Sequence, residues 1–270
     1  MSRLAPYLVL ALLGGPAAAQ TAAPAPPREL EGVGIDPRTD AQLPLELRFR
    51  DETGRAVALG ELFHADRPVV LILAYYRCPM LCGLVLGGTV DAVKQLAWTP
   101  GREFELVTVS IDPAETPELA AAKKRSLLEA LGRPDAGAGW HFLTGEAAAI
   151  ERLAEAAGFR YRYLLASGEF AHPATLILAT PAGRISRYLY GVRYEPATLR
   201  LSLVEAAAGK IGSPLDQFLL YCYRYDEHAG RYTPLAWKLM RLSAGLTAAG
   251  LAAGLGLAFR RERRRRKAAA

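Results

Sequence analysis

Residues 69–82 read VVLILAYYRCPMLC, and this stretch decides the fold. Its apolar part, 69–76, is a continuous run of the kind found in a central β-strand that is covered on both faces. The run ends just before Cys78, and Cys82 follows where residues 83–97 begin a helical pattern. A strand that leads into a cysteine pair at the start of a helix is the thioredoxin arrangement.

Strands and helices alternate along the rest of the central region. We predict strands at 104–112, 140–143, 161–165, 174–180 and 184–191, and helices at 116–131, 146–157 and 195–208. The last two strands flank Pro181-Ala182-Gly183, which is a hairpin signal. This order predicts an α/β, thioredoxin-like fold with a central mixed sheet flanked by helices.

The start of the chain has the pattern of an exported protein. Residues 1–19 combine Arg3, an apolar stretch at 8–13 and three alanines at 17–19, which is typical of a cleaved secretory signal. An uncleaved anchor is the alternative, but the apolar stretch is much shorter than the roughly 20 residues that span a bilayer. Residues 20–42 then form a Pro/Ala-rich linker.

The C-terminal region predicts a membrane anchor. Residues 242–259 carry no charge, and the run RRERRRRK at 260–267 is a strong positive-inside signal. The alternative is an Ala/Gly-rich surface helix. We expect the chain to lie in the cytoplasmic membrane, with its folded domain on the periplasmic or extracytoplasmic side and its tail in the cytoplasm.

These patterns divide the chain into six parts. They are a signal peptide at 1–19, the linker at 20–42, a thioredoxin-like domain at 43–212, a Tyr-rich juxtamembrane segment at 213–235, a transmembrane helix at 236–259 and a basic tail at 260–270.

The positive charge of the chain does not indicate nucleic-acid binding. Residues 260–267 contain seven basic residues and one acid, a surplus equal to the formal net charge of +6 for the whole chain. The folded domain is therefore nearly neutral. A basic tail next to an apolar segment is suited to stop translocation and to meet anionic lipid headgroups.

The spacing of Cys78 and Cys82 favours a metal site. Three residues separate the two cysteines, whereas redox thioredoxins have two, and the amides at a helix start are expected to lower the thiol pKa. Two thiolates favour Cu(I), and an added imidazole also allows Cu(II). Of the four histidines, His172 is best placed because it precedes the predicted strand at 174–180. The chain has only three cysteines, so it cannot form a four-cysteine zinc site.

Four segments in this order resemble the Sco/SenC family: YYRCPMLCG, SIDPAETPEL, WHFLTG and HPATLILATPAGRISRYLYG. The resemblance covers roughly residues 43–208. It implies a thioredoxin-like fold and a copper site made of Cys78, Cys82 and His172. It also implies a copper metallochaperone that assists assembly of the binuclear copper centre in subunit II of cytochrome c oxidase, and some family members are proposed to reduce the cysteines of that subunit.

The sequence departs from the family pattern near the cysteines. Gly83 stands where the family often has proline. Asp112 is followed by an acid only three residues later, at Glu115, where the family usually has two aspartates four apart. Asp112 is a candidate to steady the loop that carries the proposed copper ligands. The alternative is that Asp112 is only a turn residue before Pro113.

Other readings of the cysteines stay open. The main rival is a membrane-anchored thiol-disulfide reductase in which Cys78 attacks and Cys82 resolves. A permanent Cys78–Cys82 disulfide is a further alternative. A peroxiredoxin-like peroxidase is disfavoured because Tyr75 stands where such enzymes have threonine. Cys222 is read as a packing residue, with a resolving thiol, an extra ligand or an intermolecular disulfide as alternatives.

Overall fold

A computed structural model of the chain describes residues 31–78, 81–207, 223–226 and 231–234, together with positions 245, 247, 250, 251 and 255. The strands are β1 (Gly34–Ile35), β2 (Arg48–Arg50), β3 (Ala56–Ala58), β4 (Val69–Ala74), β5 (Glu105–Ser110), β6 (Trp140–Leu143), β7 (Phe159–Arg160), β8 (Arg162–Leu164), β9 (Glu169–Ala171), β10 (Thr175–Ala179), β11 (Ile185–Tyr190), β12 (Tyr223–Asp226) and β13 (Arg231–Pro234). The helices are α1 (Leu81–Lys94), α2 (Pro117–Leu131), α3 (Ala147–Ala156) and α4 (Pro196–Ala206), with short 3₁₀ turns at Leu59–Leu62 and Pro134–Gly139.

The central sheet has five strands in the order β11-β10-β4-β5-β6. Strands β4, β5 and β6 are parallel, and β10 runs antiparallel to both β4 and β11. Every residue of β4, β5 and β10 is buried, as expected for strands that are covered on both faces of the sheet. The mixed sheet with a terminal hairpin is confirmed.

Helix α1 begins two residues earlier than the sequence pattern indicates, so that Cys82 lies in its first turn. Helix α2 begins as expected, because the hydroxyl of Thr116 accepts a hydrogen bond from the N–H of Leu119 and Pro117 occupies the first helical position. It ends at Gly132, whose φ of 69° lies in the left-handed region that favours glycine.

A buried carboxylate lies at the opposite end of the parallel strands from the cysteines. Glu105, the first residue of β5, is 1% exposed and accepts a hydrogen bond from Arg67 at 2.8 Å. His141 and His64 lie beside the same carboxylate, with Nε2 atoms 3.5 Å and 3.7 Å from its oxygens. Both histidines are therefore remote from the cysteines, whereas His228 lies outside the described residues.

The predicted signal peptide and basic tail lie outside the described residues, as does the predicted membrane helix apart from isolated positions. In the part of the chain that the structure describes, no helix has both the length and the apolar character needed to cross a bilayer.

Two adjacent glycines in α1 provide a test of how tightly this helix is packed. A Cβ atom on Gly88 would lie 2.0 Å from the carbonyl oxygen of Val192, whereas a Cβ atom on Gly87 would meet nothing within 4 Å. Gly88→Ala should lower the free energy of unfolding by about 1–3 kcal/mol, because the backbone must move. Gly87→Ala, the matched control, should raise it by about 0.5–1 kcal/mol through the helix preference of alanine.

Urea unfolding of the purified protein, followed by far-UV circular dichroism, measures both changes. Equal effects of the two substitutions would show that α1 does not contact the Val192 backbone as described.

Candidate metal centre

The topology of the sheet brings three potential ligands to one edge. Cys78 follows the carboxyl end of β4, Cys82 lies in the first turn of α1, and His172 lies between β9 and β10. Because β10 runs antiparallel beside β4, the start of β10 meets the end of β4. One ligand atom from each of the three residues lies within 4.8 Å of the other two.

The closest approach in this group joins Cys82 and His172. The Sγ atom of Cys82 lies 2.8 Å from Nε2 of His172, and both residues are buried. The other ring nitrogen, Nδ1, lies 3.0 Å from the carbonyl oxygen of Pro173, which can only accept a hydrogen bond. This partner assigns the ring proton to Nδ1 and leaves the Nε2 lone pair directed at the thiol.

Burial sets the protonation of this pair. It lowers the pKa of His172, so that the imidazole is held in the neutral form that binds metals. Burial also raises the pKa of the Cys82 thiol. The expectation that the helix start lowers the thiol pKa is therefore wrong for Cys82, because desolvation exceeds the effect of the nearby amides. A metal that binds here must displace the thiol proton.

A buried glutamate holds the turn that carries Cys78. Glu115 is 5% exposed, and its Oε2 accepts hydrogen bonds from the N–H of Tyr76 at 2.7 Å and from the hydroxyl of Ser110 at 2.6 Å. Its Oε1 accepts from the N–H of Arg77 at 2.7 Å. Three donors satisfy the buried charge, and two of them belong to the residues just before Cys78. The sequence draws attention to Glu115 only through its spacing from Asp112 and does not assign it this role.

The sequence suggested Asp112 as the residue that steadies the cysteine loop. In the structure, Asp112 makes the contacts of a turn residue. Its carboxylate accepts a hydrogen bond from the N–H of Ala114 at 2.9 Å, and its own N–H donates to the Ser110 hydroxyl at 3.1 Å. Its carbonyl oxygen accepts from the N–H of Glu115 at 3.1 Å. Asp112 thus shapes the turn from which Glu115 reaches the cysteine loop.

Aromatic rings enclose the imidazole. Phe159 stacks on His172 with ring centroids 6.1 Å apart, and Tyr75 meets the same ring edge-on at 5.9 Å. These contacts restrict the orientation of the imidazole and keep one side of the site apolar.

Two thiols and a neutral imidazole form a donor set that suits copper. Thiolates are soft ligands for Cu(I), and imidazole is a good ligand for Cu(II). No disulfide joins Cys78 and Cys82 in the structure, and Cys78 is partly exposed, so that an incoming metal can reach it. The third cysteine, Cys222, lies outside the described residues, and its predicted packing role stays a prediction.

The chain is similar to several solved proteins of low sequence identity. A putative electron transfer protein from Aquifex aeolicus is 24% identical with a TM-score of 0.54, over 62% of this chain and 94% of the other. ScoI from Arabidopsis thaliana, solved with copper bound, is 17% identical with a TM-score of 0.47, over 60% and 96%. BsSco, named as a member of the Sco family of cytochrome c oxidase assembly proteins, is 18% identical with a TM-score of 0.47, over 66% and 97%.

No curated protein sequence matches the chain. The sequence profile of the SCO1/SenC family, in contrast, matches residues 34–206, which is more than half of the 270 residues and includes all three candidate ligands. The chain therefore belongs to the SCO1/SenC family.

Proposed function

We propose that this protein is a copper metallochaperone that binds copper through Cys78, Cys82 and His172. Its receiving partner is a copper protein such as subunit II of cytochrome c oxidase. The observation that carries the proposal is the convergence of two thiols and a neutral imidazole within 4.8 Å at one edge of the sheet. Membership of the SCO1/SenC family supports the same assignment.

The chemistry of the three donors fits a carrier of copper. Two thiolates can hold Cu(I), and the imidazole adds the nitrogen donor that Cu(II) prefers. Three protein ligands leave the ion open to a ligand from a partner. Because Cys78 is partly exposed while Cys82 and His172 are buried, exchange with a partner would begin at the Cys78 side of the ion.

A thiol-disulfide reductase is the second candidate, and the unequal exposure of the Cys78 and Cys82 thiols favours it. In that reaction the Cys78 thiolate attacks a substrate disulfide, forms a mixed disulfide and releases one substrate thiol. The Cys82 thiolate then attacks the Cys78 sulfur, which releases the second substrate thiol and leaves a Cys78–Cys82 disulfide. The two electrons gained by the substrate come from the two cysteines.

We further propose that the folded domain faces the periplasm or another extracytoplasmic space. Its support is the sequence pattern of a signal at 1–19, an apolar segment at 236–259 and a basic tail at 260–270.

Copper binding by the full-length protein and by His172→Ala separates the two candidate functions. The wild-type protein should bind one copper ion per chain, and Cu(II) should give a thiolate-to-copper absorption band. His172→Ala should retain Cu(I) on two thiolates but should lose Cu(II) affinity by at least about tenfold, because the harder ion loses its nitrogen donor. His64→Ala, which changes a histidine at the other end of the sheet, is the matched control and should bind both ions normally.

The measurements are anaerobic competition titrations with a Cu(I) chelator and absorption spectra with Cu(II). A wild-type protein that binds copper in neither oxidation state, yet catalytically reduces a model disulfide, would replace the chaperone with the reductase.

Reporter fusions test the proposed topology. Alkaline phosphatase fused after Ser213 should be active, because the enzyme needs an oxidising compartment, whereas the same fusion after Ala270 should be inactive. Green fluorescent protein at the two positions should give the complementary result. Phosphatase activity at both positions would rule out the C-terminal anchor.

A further inference from the structure

The exposed apolar side chains of the folded domain gather at the edge that holds the candidate ligands. Of the residues described between positions 31 and 207, only four large hydrophobic side chains are exposed: Leu84, Tyr163, Leu165 and Tyr190. All four lie on elements that carry or adjoin Cys82 or His172. Single exposed apolar residues scattered over a surface are normal, whereas their grouping at one place marks an interaction surface.

Two of the four residues lie on the β8–β9 hairpin, which leads directly into His172. Leu165 follows the last residue of β8 and is 90% exposed. Tyr163 on β8 packs against Phe170 on β9, with ring centroids 5.0 Å apart. Strand β9 ends one residue before His172. A contact made at the hairpin turn is therefore made on the same element that positions the imidazole.

The other two residues lie beside Cys82 and beside the loop of His172. Leu84 is two positions after Cys82 at the start of α1. Tyr190 is the last residue of β11 and pairs with Thr175, the first residue of β10, which begins shortly after His172. The exposed apolar residues thus come from three separate elements that meet at the metal edge.

Arginines accompany these apolar residues. The exposed charged side chains described in the segments 77–84, 160–171 and 190–193 are all arginines: Arg77, Arg160, Arg162 and Arg193. The acids of these segments and of the adjoining turn are buried or half-buried: Asp112, Glu115 and Glu169. Two exposed acids lie nearby, Asp36, which pairs with Arg160 at 3.1 Å, and Glu195. The exposed charge around the apolar residues is therefore positive on balance.

We propose that this edge is the docking surface for the copper-receiving protein, with Leu165 at the hairpin turn as its main apolar contact. This inference rests on the proposed copper function. The partner must bring its ligands to the Cys78 side of the ion, which is partly exposed, so its contact surface has to cover this edge. An apolar centre with a polar border is the usual composition of such an interface. The arginines complement a partner whose apolar patch is bordered by carboxylates.

The test measures binding and copper transfer to the copper-free soluble domain of cytochrome c oxidase subunit II from the same organism. The full-length protein is loaded with one equivalent of Cu(I) in lipid nanodiscs. Leu165→Ser should keep the fold and the copper affinity, because the side chain is exposed in the free protein. Its affinity for the subunit II domain should fall by about tenfold, because one leucine is no longer buried in the interface. Leu165→Met keeps an apolar side chain of similar size and should bind as the wild type does.

Arg193→Glu tests the charged border on a different segment. This variant should associate more slowly with the subunit II domain at low ionic strength. The difference should shrink at about 1 M salt, where the Debye length is about 3 Å. Arg102→Glu is the matched control, because Arg102 is an exposed arginine shortly before β5, at the opposite end of the parallel strands. It should leave association and copper transfer unchanged.

Other occupants of this surface would give different results. A defect of Leu165→Ser that appears in nanodiscs but not in detergent micelles would assign the hairpin turn to the lipid surface. A wild-type dimer that Leu165→Ser converts to a monomer, with copper transfer unchanged, would assign it to a second copy of this chain. Either result would overturn the inference.

Failure of this inference can be distinguished from failure of the proposed function. Wild-type protein that binds no copper overturns the proposed function and the inference with it. Wild-type protein that binds copper and transfers it no faster than Leu165→Ser and Arg193→Glu overturns only the inference. Copper-loaded wild-type protein that does not bind the subunit II domain has the same meaning.

Discussion

The contact between Cys82 and His172 is the constraint on which the rest of the site depends. Their side chains lie 2.8 Å apart although 90 residues separate them in the sequence. The contact exists because β10 runs antiparallel beside β4 and so returns the chain to the edge where the cysteine loop begins. A shift of this pairing by one residue would exchange the faces of β10 and alter the approach of the His172 loop.

Burial determines the protonation states of the two side chains at this contact. The same desolvation keeps the imidazole neutral and the Cys82 thiol protonated, so a bound copper ion takes the place of a proton inside an apolar pocket. The turn that carries Cys78 is held by Glu115, whose carboxylate accepts hydrogen bonds from the backbone N–H groups of Tyr76 and Arg77. Rigid support of this kind limits how far the ligands must move when the metal arrives.

The sequence predicts the central strands well, because residues buried on both faces of a sheet must be apolar over a continuous run. It also identifies Cys78, Cys82 and His172 as candidates through their spacing and their place beside strands. It does not reveal the role of Glu115, because the sequence does not distinguish a buried carboxylate from an exposed one or show which donors surround it. The raised thiol pKa of Cys82 likewise depends on packing between segments that are distant in the chain.

X-ray absorption at the copper K edge tests the central claim most directly. On full-length protein with one equivalent of Cu(II), the account predicts two sulfur scatterers and one imidazole nitrogen in the copper coordination shell, with both sulfurs lost in the Cys78→Ser, Cys82→Ser double variant. A copper ion surrounded only by nitrogen and oxygen, or a sulfur contribution that survives the double substitution, would contradict it.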